Sequence, residues 1–227
     1  MILGDKCLVV FSGGQDSTTC LHWALQRFNK VETVFFDYGQ RHRIEMESAI
    51  RIAKNNQVPL RIFRLDVFQE IGGNALIDSG MAIEMPEAAV SPALPNTFVP
   101  GRNLIFLTYA ASYAYTRGIT DLVTGVCQTD YSGYPDCRAS TMHALEKALG
   151  LGLDLDGKLR IHTPLMYLTK AETVQLAEKE GAMESLAFSH TCYEGKFPPC
   201  GVCPACLLRQ KGFDEARIAD PIFKRSI

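Results

Sequence analysis

The stretch KCLVVFSGGQDSTTC, Lys6–Cys20, sets a glycine pair between a run of apolar residues and a run of small hydroxyl residues. The apolar run predicts a buried strand, and the residues Ser17–Phe28 predict a helix with one apolar face. Glycines at the end of a strand mean that the backbone turns sharply there or lets another group come close. The fold must therefore bring a strand, a tight loop and a helix together in that order.

Predicted strands and helices alternate through the chain. The order strand, helix, strand, helix, strand favours a parallel sheet with helices on its faces. We therefore predict an α/β fold in which a Rossmann-like parallel-sheet domain is followed by a small C-terminal appendage. The predicted strands are KCLVVF, VETVFFDY, LRIFRLDV, DLVTGV and RIHTPL. The later predicted helices are Ile44–Asn55, Asn103–Tyr115, Ala139–Leu149, Lys170–Glu180 and a short C-terminal helix. Asn103 is the predicted N-cap of the second of these helices, and a Thr169–Glu172 capping box precedes the helix that begins at Lys170.

Length and charge exclude several classes of protein. A chain of 227 residues suits one domain over residues 1–188 and an appendage over residues 189–227. A net charge of −2 gives no reason to expect nucleic acid as a partner. No apolar run reaches the roughly 20 residues of a membrane span, and the N-terminus does not resemble a signal peptide. We expect a cytoplasmic protein that binds neither membrane nor nucleic acid.

The glycine loop has the composition of an anion site. Gly13 and Gly14 expose backbone N–H groups, Ser12 and Ser17 add hydroxyl donors, and the following helix contributes its positive end. Asp16 would repel a bare phosphate, but a Mg²⁺ ion between carboxylate and phosphates removes that conflict. The alternative is an ordinary glycine turn with a capping side chain, which the combination Ser-Gly-Gly-x-Asp-Ser disfavours.

Four of the eight cysteines fall within fifteen residues near the C-terminus, at Cys192, Cys200, Cys203 and Cys206. In a cytoplasmic chain, clustered cysteines favour a metal site over disulfides. Four thiolates form a closed tetrahedral zinc site, and a closed site is structural. An iron–sulfur cluster and four free thiols are the alternatives.

Polar residues also follow other predicted strands, in FDYGQRH, FVPGRN, TGVCQTDYSGYPDCR and TPLMYLTKAE. Lys170 in the first turn of a helix opposes the helix dipole and therefore requires a nearby anion. Because these segments lie at the same edge of the predicted sheet as the glycine loop, we expect one shared site. The long Gly72–Pro100 segment, rich in Pro and Gly, is predicted to be a lid or a subunit contact.

The glycine loop resembles the PP-loop of the ATP pyrophosphatase superfamily, whose members cleave ATP between the α- and β-phosphates and transfer AMP to a substrate oxygen. The resemblance implies that the loop holds the β- and γ-phosphates, that Asp16 holds Mg²⁺ and that Lys170 contacts phosphate. The predicted ATP-binding residues are Phe11, Ser12, Gly13, Gly14, Gln15, Asp16, Ser17, Thr18, Thr19, Cys20 and Leu21, and the predicted catalytic residues are Asp16, Arg102 and Lys170.

Six segments occur in the order seen in the 7-cyano-7-deazaguanine synthase family of the queuosine pathway, and the similarity spans Val9–Arg209. The segments are FSGGQDSTTCL, FDYGQRH, TFVPGRN, SGYPDCR, TPL…TKAE and TCYEG…CGVCPACLLR. The resemblance implies conversion of 7-carboxy-7-deazaguanine, ATP and free ammonia to 7-cyano-7-deazaguanine (preQ0), through adenylated carboxylate and amide intermediates. It also implies one structural Zn²⁺ per chain, Mg²⁺ bound with ATP, and a homodimer.

Three residues are candidates to recognise the deazaguanine ring, because a carboxylate pairs with a guanine-like N1–H and exocyclic amine. They are Asp130, Tyr131 and Asp136. Arg102 is expected to neutralise the substrate carboxylate or the α-phosphate. The alternative functions are an ammonia-dependent amide ligase, a tRNA thiolase that uses Cys127 and Cys137, or a zinc module that binds a partner without consuming ATP.

Overall fold

A computed structural model describes residues 2–40, 43–78, 80–83, 94–129 and 134–224 of the chain. Its centre is a sheet of five parallel strands, as the alternating pattern predicts, and the strand order is β3-β2-β1-β4-β5. The strands are β1 (Gly4–Val10), β2 (Phe28–Asp37), β3 (Leu60–Arg64), β4 (Asp121–Val123) and β5 (Arg160–His162). The helices are α1 (Gln15–Leu25), α2 (Ile44–Asn55), α3 (Val67–Ile71), α4 (Arg102–Tyr115), α5 (Ala139–Gly152), α6 (Lys170–Lys179), α7 (Met183–Leu186) and α8 (Pro204–Ala216), with 3₁₀ turns at Pro135–Cys137 and Pro221–Lys224.

Alternate residues of the buried strands face two separate apolar layers. On one side, Leu8 of β1 joins a cluster that includes Leu107 of α4 and Met142 of α5. On the other side, Val9 joins a cluster that includes Leu21 of α1 and residues of α2. The sheet is therefore covered by helices on both faces, which explains why β1 is apolar at consecutive positions.

Two predicted helix starts were wrong. Helix α1 begins at Gln15 behind Gly14 and ends at Leu25, so Phe28 opens β2 instead of closing the helix. Helix α4 begins at Arg102, with Gly101 at the N-cap position in a left-handed conformation. The capping box of α6 is confirmed, because Thr169 and Glu172 make both of its hydrogen bonds.

The C-terminal helix α8 packs against α6 in a third apolar cluster, where Phe213 meets Val174 and Ala177. The division at residues 188 and 189 stays a prediction. None of the helices in the described ranges is long and apolar enough to cross a bilayer. Residues 79 and 84–93 of the predicted lid lie outside the described residues, and its role stays a prediction.

Candidate active site at the carboxyl edge of the sheet

The strand order reverses between β1 and β4, which run side by side although two strands and four helices separate them in sequence. In open parallel sheets, ligands bind outside the carboxyl ends of the strands at such a reversal. The glycine loop follows β1 at this point. Gly125, just after β4, faces it so closely that a Cβ there would lie 3.2 Å from the backbone N of Ser17.

Hydrogen bonds to hydroxyl groups within the glycine loop fix its conformation. The Ser12 backbone N–H donates to the Ser17 hydroxyl over 3.2 Å, and the Ser17 hydroxyl donates to the Gly14 carbonyl over 3.2 Å. Gly13 has φ +77°, and a Cβ on it would lie 2.6 Å from the backbone N of Ala49 in α2. No side chain caps the start of α1, so its first backbone N–H groups can donate hydrogen bonds to an anion bound at the loop.

Asp16 and Lys170 form a two-pronged ion pair beside this loop. The Lys170 ammonium lies 2.9 and 2.8 Å from the two carboxylate oxygens of Asp16. The Lys170 side chain is only 10% exposed, since its stem packs on α8 where Gly212 leaves room: a Cβ on Gly212 would lie 2.6 Å from Lys170 Cγ. The two residues predicted to hold Mg²⁺ and phosphate are therefore in direct contact.

Arg102 begins α4 near three phenol groups and two carboxylates, those of Glu45 and Asp136. Its guanidinium donates to the Tyr38 hydroxyl over 3.4 Å. Burial alone would lower the Arg102 pKa, but the neighbouring Tyr38, Tyr134 and Tyr193 raise it on balance. Burial in turn raises the pKa of Glu45 to about 7, and the Arg102 charge only partly offsets that effect.

Asp136 lies beside Arg102 in a role that the sequence did not indicate. Its Oδ2 accepts from the Asn103 backbone N–H over 3.0 Å and from the Asn103 side chain over 3.1 Å. The carboxylate therefore caps α4 from another part of the chain. Asp136 is 5% exposed, and its contact with the deazaguanine ring stays a prediction. Asp130 and Tyr131 lie outside the described residues.

The sulfur atoms of the four C-terminal cysteines lie within 4.8 Å of one another. The set fits zinc in number and chemistry, because four thiolates at about 2.3 Å from the ion form the closed tetrahedral coordination of structural zinc sites. A hydrogen bond from Cys206 lowers the pKa of Cys203 and the same contact raises the pKa of Cys206, so one thiolate of the pair is favoured before any metal binds. The cluster thus suggests a structural zinc held by Cys192, Cys200, Cys203 and Cys206.

The cysteine cluster is joined directly to the glycine loop. The His190 backbone N–H donates to the Gly13 carbonyl over 3.0 Å, and the His190 carbonyl lies close to Gly14. Cys192 and Tyr193 follow at once, so the same short segment contacts the loop, supplies one sulfur and brings a phenol to Arg102.

Comparison with known proteins identifies the family of the chain. The family model described as "Queuosine biosynthesis protein QueC" matches residues 6–217. The chain belongs to the QueC family. Two curated relatives, both called 7-cyano-7-deazaguanine synthase, come from Chromobacterium violaceum (61% identical, covering 97% of this chain and 94% of that protein) and Laribacter hongkongensis (57% identical, covering 97% and 95%).

A third relative with the same name, from Shouchella clausii, is 47% identical over 94% of this chain and 95% of its own length. Among solved structures, a predicted subunit of a tRNA methyltransferase from Methanocaldococcus jannaschii is 15% identical with a TM-score of 0.48, covering 77% of this chain and 74% of that one. Likeness at that level supports no conclusion about the QueC chain.

Some features of this QueC site were not found by sequence reasoning. Glu45 stands three residues beyond the FDYGQRH segment, and Tyr193 directly follows a predicted zinc ligand. Their proximity to recognised motifs was the available signal. The far end of the predicted ATP loop lies deeper than its near end: Thr18, Thr19, Cys20 and Leu21 are fully buried, whereas Ser12 is exposed. Their contact with ATP stays a prediction.

Proposed function

We propose that this chain makes a nitrile at the carboxyl edge of its sheet by adenylating one substrate twice. Its activity is that of a 7-cyano-7-deazaguanine synthase in queuosine biosynthesis, an ATP-dependent ligase. The finer proposal is that the substrate is 7-carboxy-7-deazaguanine and that free ammonia supplies the nitrogen. The observation that carries it is the meeting of the glycine loop, the Asp16–Lys170 pair and Arg102 near one edge.

The chemistry needs two activations because neither a carboxylate nor an amide has a good leaving group. In the first, a carboxylate oxygen attacks the α-phosphorus of ATP, pyrophosphate leaves, and ammonia then displaces AMP to give the amide. In the second, the amide oxygen attacks another ATP, pyrophosphate leaves, and the adenylated amide gives one N–H proton to solvent to form a neutral imidate. Loss of AMP and of the second N–H proton then gives the nitrile. Both halves rely on positioning and charge neutralisation and require no protein nucleophile.

The residues of the site suit these steps. The loop amides and the hydroxyls of Ser12 and Ser17 would hold the β- and γ-phosphates as the leaving group. Lys170 would turn from Asp16 to phosphate. Arg102, cationic even though it is partly enclosed, would hold the substrate carboxylate or the α-phosphate.

Asp16 fits a magnesium ligand, because its carboxylate is 29% exposed and stands at the first turn of α1 beside the proposed phosphate site. This carboxylate would help to hold a Mg²⁺ bound with ATP, and the ion would supply positive charge that neutralises the phosphates. We also propose that the chain acts as a cytoplasmic homodimer, which light scattering of the purified protein would test.

The first prediction tests the two-step scheme with the amide as the starting substrate. Supplied with 7-amido-7-deazaguanine, ATP and Mg²⁺ but no ammonia, the protein should form the nitrile. Each nitrile should be accompanied by one AMP and one pyrophosphate, because attack occurs at the α-phosphorus. Mass spectrometry of the products and an enzyme-coupled pyrophosphate assay are the measurements.

Three outcomes would contradict parts of this proposal. ADP as the product would mean attack at the γ-phosphate, and the role given to the glycine loop would be wrong. A strict need for ammonia would exclude the free amide as an intermediate. A plain amide ligase would form the amide from 7-carboxy-7-deazaguanine and leave the supplied amide unchanged.

A further inference from the structure

Both halves of the proposed reaction remove protons from one nitrogen atom, and the residues assigned so far include no proton acceptor for it. Ammonia loses a proton as it displaces AMP from the acyl adenylate. The adenylated amide loses a proton from the same nitrogen as the nitrile forms. An acceptor for these protons must ionise near neutral pH and face the reacting carbon.

Glu45 is placed where such an acceptor is needed. It lies in the first turn of α2, and its backbone carbonyl would be 2.9 Å from a Cβ on Gly13, so this turn packs directly on the glycine loop. Its side chain interacts with Arg102 of α4, with Tyr38 after β2 and with Tyr193 beside the cysteine cluster. The backbone of Glu45 therefore lies against the proposed phosphate site, and its carboxylate belongs to the group of charged and phenolic side chains around Arg102.

The Glu45 carboxylate is not committed to a structural contact. Within the ranges that the structure describes, it makes no ion pair and no hydrogen bond, unlike Asp16 and Asp136 nearby. Arg102 is the cation that faces it from the described elements packed around it, and Tyr38 and Tyr193 are the other titratable groups. Burial of the Glu45 carboxylate raises its pKa to about 7, because the more distant charge of Arg102 offsets only part of the effect.

We propose that Glu45 is the catalytic residue that takes the proton from the substrate nitrogen during nitrile formation. This inference rests on the proposed function. In the neutral adenylated imidate, the Glu45 carboxylate removes the N–H proton, and the electron pair of that bond forms the third carbon–nitrogen bond. The carbon–oxygen bond breaks, AMP leaves with its electron pair, and Glu45 returns the proton to water.

The test uses E45Q with 7-amido-7-deazaguanine, ATP and Mg²⁺, so that ammonia does not contribute to the pH dependence. Rapid-quench analysis measures pyrophosphate release and nitrile formation separately in one turnover. E45Q should release pyrophosphate at close to the wild-type rate and form nitrile about 100-fold more slowly, the usual loss when a general base is removed. E47Q is the matched control, because Glu47 lies on the same turn and is exposed.

The pH profile separates a proton acceptor from a positioning role. The wild-type rate of nitrile formation should rise as Glu45 ionises and level off above about pH 7, whereas E45Q should show no such rise. E45D, which keeps a carboxylate, should recover part of the rate and the pH dependence.

Two results would overturn the assignment of Glu45. One is nitrile formation by E45Q at the wild-type rate. The other is a parallel loss of pyrophosphate release and nitrile in a folded E45Q variant, which would make Glu45 a support for the loop. Failure of the wild-type protein to release pyrophosphate with the amide would instead contradict the proposed function itself.

Discussion

At the scale of single residues, a carboxylate and an ammonium group neutralise each other at the mouth of the glycine loop. The 2.8 and 2.9 Å contacts between Asp16 and Lys170 keep a largely buried ammonium paired before any phosphate arrives. Bound Mg²⁺ and ATP would give each partner a new counter-charge. The pair therefore stabilises the free protein and also holds both side chains next to the place where they are proposed to act.

The prediction at this scale concerns D16N. The variant should fold, with a loss of about 1–3 kcal/mol because Lys170 loses its ionic contact with the Asp16 carboxylate. Adenylation, measured as ATP–pyrophosphate exchange, should fall by at least about 100-fold, since the proposed metal ligand is gone. The matched control is D156N, which breaks a similar contact of 2.8 and 2.9 Å to Lys147 on the exposed surface. Near-normal exchange by D16N would reduce Asp16 to a structural partner of Lys170.

At the scale of elements, α8 controls where Lys170 can lie. Because a Cβ on Gly212 would lie 2.6 Å from Lys170 Cγ and 3.2 Å from its carbonyl carbon, G212A should push α8 and α6 apart or displace the lysine. The gain in helix propensity is about 1 kcal/mol, and such overpacking costs about 1–3 kcal/mol. We expect a lower melting temperature and a KM for ATP raised by about tenfold or more, because an ångström of misplacement can cost up to about 100-fold.

The control for this variant is G152A. Gly152 ends α5, and a Cβ there would meet nothing within 4 Å. G152A should melt at the wild-type temperature or slightly above it and keep the wild-type KM. If G212A behaved in the same way, the contact between α8 and Lys170 would have no bearing on ATP binding.

Elements also mark the limit of what the sequence predicts. Periodicity and composition predicted the five parallel strands and the main helices, because strand burial and helix amphipathicity are local signals. The start of α4 was wrong, because its cap comes from Asp136, 33 positions away. The pairing of Asp16 with Lys170, the packing of Gly212 and the position of Glu45 also depend on contacts between distant segments, which no local pattern encodes.

At the scale of the whole molecule, the cysteine cluster and the sheet edge form one continuous unit. The segment from His190 to Tyr193 bonds the glycine loop, supplies a sulfur to the cluster and reaches the surroundings of Arg102. The last cysteine, Cys206, lies in α8, the helix that confines Lys170. A metal at the cluster would thus fix both the loop and the lysine from one side, although its closed ligand set leaves it no part in the chemistry.

The corresponding prediction concerns metal removal. Metal analysis should find one zinc per chain, and a chelator should lower the melting temperature by at least about 5 °C, since each kcal/mol shifts it by about 2–4 °C at this size. Binding of ATP, measured by calorimetry at a temperature where the chelated protein is still folded, should weaken because the contact between His190 and Gly13 loses its anchor. Chelator saturated with zinc beforehand is the control and should change neither quantity.

If ATP affinity stayed constant while the melting temperature fell, the cluster would stabilise only the C-terminal segment and not the nucleotide loop. Iron with labile sulfide in the purified protein would instead contradict the zinc assignment.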